Sequence, residues 1–137
     1  MSQVTISKIV EGAANLVIRV DLRNEGIPEE LTDHVFLSPS DCVPARANDQ
    51  PNFRIMQMWY SLAWFDVVLK FGTLQPEFVW TLARDSGNYI DFRSFGGIVD
   101  TRSNPPGDEN GKLLLSTNGF STPGAHGSII LALRKLT

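Results

Sequence analysis

Alternation of apolar and polar side chains with a period of two is the feature that most constrains this fold. In the segment NLVIRVDL every second residue from Leu16 to Leu22 is aliphatic, and the residues between them are largely polar. This period is that of a β-strand with one face on a core. The pattern returns in GSIILALRKL, where Ile129, Leu131 and Leu133 share one face. Both segments are predicted to be strands.

Other segments extend the pattern. Shorter strands are predicted at VTISKIV, DHVFLS, PEFVWTL, around Tyr89 to Phe92, and at GKLLLSTNGF. The most apolar segment, FRIMQMWYSLAWFDVVLKF, predicts two strands, Arg54 to Ser61 and Phe65 to Phe71, because it is rich in aromatic and β-branched residues. A helix over Met56 to Leu69 is the alternative, since Met, Leu and Ala favour helices.

About eight short strands without a clear amphipathic helix indicate an all-β protein. The 137 residues are predicted to form a single domain, 1–137, folded as an antiparallel β-sandwich, with a jelly roll as one form of it. The segment SPSDCVPARANDQPN is crowded with turn formers and predicts a long surface loop around 38–52. The Gly96-Gly97 pair predicts a turn at the sandwich edge.

Charge and hydropathy narrow the range of partners. The net charge is −3, and the 12 Lys and Arg residues are scattered along the chain. Nucleic acids and anionic membranes are bound through concentrated positive charge, so neither is expected as a partner. The N-terminal segment MSQVTISKIVEG has no long apolar run, so we expect no secretory signal and no transmembrane helix, and we expect the chain to fold in the cytoplasm.

No combination of residues predicts an enzyme. A nucleophile needs a nearby base, yet the histidines are His34 and His126, the single thiol is Cys42, and nothing in their spacing brings them together. One cysteine also excludes a Cys-rich zinc site. We therefore expect no catalytic residues, no cofactor and no resident metal.

Acidic residues are the other candidates for chemistry. Paired carboxylates hydrolyse glycosidic bonds, and the available ones are Asp66, Glu77, Asp85, Asp91, Asp100 and Asp108. They occur where strands expose polar side chains or where turns begin, which favours solvated faces and turn caps. Asp108 lies in NPPGDENG, where a bound Ca²⁺ is the alternative to a plain turn before a strand.

Aromatic residues give the candidate interface. Trp59 and Tyr60 are adjacent in a predicted strand, so they point to opposite faces, and one of them is expected to be exposed or held at an interface. Trp80 alternates with Phe78 and Leu82 and is predicted to lie in the core. A platform on which sugars stack is the alternative. The candidate interface residues are Trp59, Tyr60, Trp64, Phe92 and Phe95.

Three segments of the second half, DFRSFGGIVD, GDENGKLLLSTNGF and GSIILALRKL, together resemble small structural proteins of tailed-phage particles. The central FRIMQMWYSLAWFDVVLKF followed by PEFVWTL is similar to the paired central strands of that group. The resemblance covers residues 50–137, and the N-terminal strands match by pattern.

The resemblance implies a non-enzymatic β-sandwich of the virion. It would be a capsid decoration (cement) protein that binds and stabilises the assembled shell, or a small component of the head-to-tail region or the tail. Its implied partners are the major capsid protein or neighbouring virion subunits, and its implied state is a homo-oligomer such as a trimer. A carbohydrate-binding sandwich for host adhesion is the alternative function. The expected location is the virion, assembled in the host cytoplasm.

Overall fold

A computed structural model of the chain describes residues 4–12, 14–24, 30–38, 52–72, 77–99 and 112–136. These residues form ten strands and a short 3₁₀ helix, Arg93–Phe95. In chain order the strands are β1 (Val4–Glu11), β2 (Asn15–Arg23), β3 (His34–Leu37), β4 (Asn52–Ala63), β5 (Asp66–Phe71), β6 (Glu77–Leu82), β7 (Ser86–Asp91), β8 (Ile98–Val99), β9 (Leu113–Asn118) and β10 (His126–Leu136).

The strand pairs are antiparallel and nested within one another. β5 pairs with β6, β4 with β7, β3 with β9, and β2 with β10, so the chain resembles one long hairpin rolled up into two sheets. This is the connectivity of a jelly roll. The larger sheet has the order β1-β2-β10-β4-β7, with β8 also beside β4, and the smaller sheet has the order β3-β9-β5-β6. The predicted all-β antiparallel sandwich is confirmed.

The core lies between the inner faces of the two sheets and follows from the alternation in sequence. Every second residue of β2, from Leu16 to Leu22, is buried. β10 and β5 contribute buried side chains in the same way: Ile129, Leu131, Leu133, Val67, Leu69 and Phe71. Each fully buried side chain of this size contributes about 1.5–3 kcal/mol of transfer free energy. The faces of β2, β5 and β10 predicted from sequence are confirmed.

One end of the sandwich is closed by hydrogen bonds to the β9–β10 connection. Asn24, the buried polar residue at the end of β2, donates from Nδ2 to the Phe120 carbonyl at 2.6 Å and from its N–H to the Ala125 carbonyl at 2.8 Å. The Glu30 carboxylate accepts the N–H groups of Phe120 at 2.8 Å and of Ser121 at 2.6 Å. Asn24 and Glu30, which lie between β2 and β3, therefore satisfy the Phe120 and Ala125 carbonyls and the Phe120 and Ser121 N–H groups of this connection.

Trp80 corrects a prediction. It lies on β6, the edge strand of the smaller sheet, and its side chain is 39% exposed rather than enclosed in the core. The β5–β6 register shifts between Leu69 and Lys70, and Val79 is buried beside this irregularity. Trp80 closes the side of the sandwich by an edge-to-face contact with Phe92, at 5.4 Å between ring centroids.

The predicted central strands are confirmed, and the alternative helix over Met56 to Leu69 is wrong because β4 and β5 occupy that segment. Two elements were not predicted, β8 and the 3₁₀ helix, since neither is long enough to show a period. His126 is the first residue of β10. Among the described residues, no helix has the length and apolar composition needed to cross a membrane.

Gly96 and Gly97 both have a φ of +87°, which confirms the predicted turn, because L side chains rarely adopt that conformation. The predicted surface loop lies outside the described residues from 39 to 51, and Cys42 lies there with it. The segment 100–111, with its candidate cation site at Asp108, is also outside the described residues.

A candidate binding face on the larger sheet

Two aromatic rings stand together on the outer face of the larger sheet. Trp59 of β4 and Tyr89 of β7 are directly paired in the register. Their ring centroids are 4.9 Å apart and the ring planes differ by 24°, which matches the spacing of neighbouring strands. Trp59 is 38% exposed and Tyr89 is 42% exposed. The pair therefore forms a rigid apolar projection that faces away from the core.

The pairing of the strands extends this projection into a row across the sheet. Ile130 of β10 lies opposite Trp59, and Arg19 of β2 lies opposite Ile130. Directly paired residues point to the same face, so the indole has an aliphatic neighbour on the side away from Tyr89. We call Arg19, Ile130, Trp59 and Tyr89 the aromatic row.

Polar side chains surround Tyr89 at the β7 end of the row. The Gln57 amide nitrogen donates to the Tyr89 hydroxyl at 2.6 Å. Asp91 and Arg93 form an ion pair with 2.8 Å between Oδ2 and Nη2. Hydrogen bonds from the Arg93 side chain and then from its backbone N–H lower the pKa of Asp91 to about 2. Both charges are exposed, so the pair fixes geometry more than it adds stability.

Two shallow depressions flank the aromatic row on the same face. The first, of about 500 Å³, includes Asp21, Arg23, His126 and Ser128 in its lining. Its carboxylate is already engaged, because Asp21 accepts from the Ser128 hydroxyl at 2.7 Å and from Arg19 Nε at 2.9 Å. The second depression, of about 430 Å³, lies at the other end of β10. We call it the arginine depression, and its lining residues used below are Asn15, Val17, Met56, Gln57, Arg93 and Arg134.

The structure divides the five predicted interface residues. Trp59 is on the outer face, while its neighbour Tyr60 packs against the core, so their predicted opposition is confirmed. Phe92 is 1% exposed, which removes it from any interface of the folded chain and corrects that prediction. The side chain of Phe95 lies outside what is described. Trp64 is 59% exposed but lies at the end of the sandwich, away from Trp59.

Trp64 occupies a strained corner where the chain crosses between sheets. Its φ is +81°, and the φ of Asp85 at the neighbouring crossing is +54°. The Trp64 N–H donates to Asp85 Oδ1 at 2.9 Å, which ties the β4–β5 crossing to the β6–β7 crossing. A second tie joins Arg84 to Asp66, with 3.0 Å between Nη2 and Oδ2. A bulky residue keeps a positive φ only where surrounding contacts impose it, and these two ties are contacts of that kind.

The acidic residues proposed for chemistry have structural partners. Asp66, Asp85 and Asp91 accept hydrogen bonds from backbone N–H groups at turns, as the sequence reading of turn caps predicts. The side chain of Glu77, and Asp100 and Asp108, lie outside what is described. His34 begins β3, and His126 Nδ1 lies 2.9 Å from the Gly124 carbonyl oxygen. The described residues contain no group of three His, Cys, Asp or Glu side chains placed to hold a metal ion.

Sequence reasoning missed Tyr89 and the arginines of the second depression. Tyr89 lies 30 positions after Trp59 in the numbering, and only the β4–β7 register brings the two rings together. The available signal was Tyr89 itself, an aromatic residue in a short predicted strand. Arg93 and Arg134 carried no signal, because isolated arginines are ordinary surface residues.

Comparisons with known proteins add little. No family model matches the chain, and no curated protein matches it. Among solved structures it is similar to CoII HppE in complex with Tris buffer, with 11% identity, 98% of this chain and 54% of that chain covered, and a TM-score of 0.34. It is also similar to FeII HppE, with 10% identity and a TM-score of 0.34; the match covers 97% of this chain and 51% of that chain.

A third similar structure is hydroxypropylphosphonic acid epoxidase from S. wedmorenis, with 12% identity and a TM-score of 0.27; the match covers 85% of this chain and 42% of that chain. The chain thus spans about half the length of the structures it matches, or less. Scores this low do not indicate a shared activity, and no role is transferred from these proteins.

Proposed function

We propose that this chain is a non-enzymatic binding protein that docks on a protein surface through the outer face of its larger sheet. The observation that carries the proposal is the Trp59–Tyr89 stack, exposed on a face that a solitary sandwich would be expected to cover with polar residues. Exposed Trp and Tyr are the side chains most often found at the energetic centre of protein interfaces.

The orientation of the rings favours a protein partner over a sugar. Each ring turns one face toward the other, and Ile130 lies beside the second face of Trp59. Apart from the outer face of Tyr89 on the edge strand, the row offers ring edges and aliphatic surface, which fit a cleft between partner side chains. A sugar instead stacks on a ring face that lies open to solvent.

The partner that we propose is the assembled shell of a tailed phage, with the chain as a decoration protein. Support comes from the sequence resemblance described above and from the rigid two-layer fold, which presents the aromatic row without a deep pocket. A shell repeats its surface many times, so a homo-oligomer such as a trimer would gain avidity from several weak contacts at once.

Co-sedimentation with purified capsids tests this proposal. The wild-type protein is expected to pellet with capsids and to saturate, whereas Trp59→Ala loses a central anchor and binds at least about tenfold more weakly. Trp64→Ala is the matched control, because it removes an even more exposed indole from the end of the sandwich.

Equal binding by wild type and Trp59→Ala, or loss of binding only in Trp64→Ala, would contradict docking through the larger sheet. Absence of binding to any capsid or tail assembly would contradict the virion role.

Glycan binding is the second candidate function, and one observation favours it. Tyr89 is on the edge strand β7, where its outer ring face has no strand beside it, and Gln57 and Asp91 supply hydrogen-bonding groups next to it. Retention on immobilised glycans, lost in Tyr89→Ala and kept in Trp64→Ala, would support this function over protein docking.

A further inference from the structure

The arginine depression combines an apolar floor with donors for hydrogen bonds. Val17 and Met56 contribute apolar surface, Asn15 and Gln57 contribute side-chain amides, and Arg134 contributes a guanidinium. Arg93 lines the same depression. Amides and guanidiniums grouped over an apolar surface are what a small polar ligand requires, because the apolar floor lowers the local dielectric and strengthens each charged contact.

Arginines are concentrated in and beside this depression, and two of the three have no carboxylate partner among the described residues. Arg134 of β10 stands directly opposite Arg54 of β4, and like charges in directly opposed positions destabilise a sheet. Arg93 is paired with Asp91, whereas no ion pair joins Arg54 or Arg134 to a carboxylate within the described part of the chain. Counted over the described residues, the local charge is therefore positive in a protein whose net charge is −3.

Arg54 adds an unsatisfied donor. Its Nη1 donates to the Gly96 carbonyl at 3.0 Å, but its buried Nε has no partner among the described residues. Arg54 lies beside the depression and not in its lining, so an anion there would act on it through its charge and not as a hydrogen-bond partner of the buried Nε. Arg93 also retains capacity, because its guanidinium carries more N–H donors than its contacts with Asp91 and Tyr89 engage.

We propose that the arginine depression is an anion site that receives a carboxylate from an acidic side chain of the docking partner. The carboxylate would accept hydrogen bonds from the guanidiniums of Arg134 and Arg93, and its charge would relieve the opposition between Arg134 and Arg54. The inference rests on the proposed docking function, because the depression lies on the same face as the aromatic row. The row supplies apolar contact and the depression supplies charge complementarity, which governs orientation and partner choice.

Titration with small probes, followed by NMR, tests the anion site without any capsid. A blocked triglutamate peptide is expected to shift the Nε–H resonances of Arg93 and Arg134 saturably, with a Kd on the order of a few millimolar. Arg134→Gln should weaken binding about tenfold, because it removes one charge-assisted contact. Arg134→Lys keeps the charge but loses the planar fork, so its affinity should fall between the two.

Arg23→Gln is the control, because it removes one positive charge from the far end of the same face and should leave the affinity unchanged. Shifts that fail to saturate, or that are equal in wild type and Arg134→Gln, would overturn the anion site. Tighter binding of glucuronate or of inorganic phosphate than of triglutamate would overturn the assignment to an acidic protein partner.

The two proposals fail in distinguishable ways. Capsid binding that survives in Arg134→Gln, together with no response to triglutamate, contradicts the anion site alone. A saturable triglutamate response without binding to any capsid or tail assembly contradicts the virion role alone.

Discussion

Replacing Gly119 with Ala tests whether the strained Trp64 corner is held rigidly. Gly119 has a φ of +92°, and an added Cβ would lie 2.7 Å from the backbone carbonyl oxygen of Trp64. The nearby Arg84 guanidinium, at 3.3 Å, can move aside because it is the end of a long side chain. The Trp64 carbonyl is less free to move, because the adjoining N–H is bonded to Asp85.

Gly124 provides a matched comparison within the same connection. Its φ is +84°, but an added Cβ would have nothing within 4 Å. Gly124→Ala therefore reports the cost of positive φ alone, about 1 kcal/mol after the gain from a less flexible unfolded chain. Gly119→Ala adds a steric conflict of about 2 kcal/mol, for a total loss of about 3 kcal/mol.

Urea unfolding of the two variants measures this difference directly. In thermal unfolding, we expect Tm to fall by roughly 4 °C in Gly124→Ala and by roughly 12 °C in Gly119→Ala. Losses of unfolding free energy that agree within about 0.5 kcal/mol would refute the reasoning. They would mean that the corner yields to the added methyl group and that its strained φ angles are not imposed by the surroundings.

Three further predictions concern the core and the ion pairs. Phe65→Ala should reduce the free energy of unfolding by about 3–5 kcal/mol, because Phe65 is fully buried against Phe120. A loss below about 1 kcal/mol in urea titration would contradict this expectation. Asn24→Ala should reduce the free energy of unfolding by about 1–3 kcal/mol in the same assay, because it leaves the buried Phe120 carbonyl without its donor. Asn24→Asp should recover little of that stability, because a carboxylate cannot donate a hydrogen bond. By NMR titration the carboxyl of Asp91 should show a midpoint of about 2. The folded pKa of Asp91 lies below the unfolded value of about 3.9, so the stability contributed by the Asp91–Arg93 pair is present above that pH and is lost as the pH falls toward 2. A midpoint near 3.9 would show that the pair does not form in solution.

The sequence predicted the sandwich because its buried strands carry their own period. In β2 and β10 the alternation alone specifies which side chains meet the core, and both faces agree with the structure. Phe92 and Trp80 were misplaced because their burial depends on long-range packing. Trp80 sits at a sheet edge beside a register shift, and Phe92 is enclosed partly by Trp80 itself. A local pattern contains neither fact.

The binding face was predictable only in part. Adjacent strand residues point in opposite directions, so one of Trp59 and Tyr60 had to face outward. Which one did so depends on the alignment of β4 with β10 and β7. The arginine depression depends further on an irregularity, since the β4–β10 register shifts between Ala132 and Leu133. That shift places Met56 and Gln57 together in its lining, an arrangement no strict period of two predicts.

The central place of β10 has a consequence for how the protein is made. β10 separates β2 from β4, and the hydrogen bond between Ser128 and Asp21 joins residues 107 positions apart. At a synthesis rate of about 5–20 residues per second, β2 waits for at least several seconds before its partner leaves the ribosome. During that interval β2 and β4 each expose a bare edge, which is the surface through which strands of different molecules aggregate. Slow, late assembly of the larger sheet is therefore built into the order of its strands.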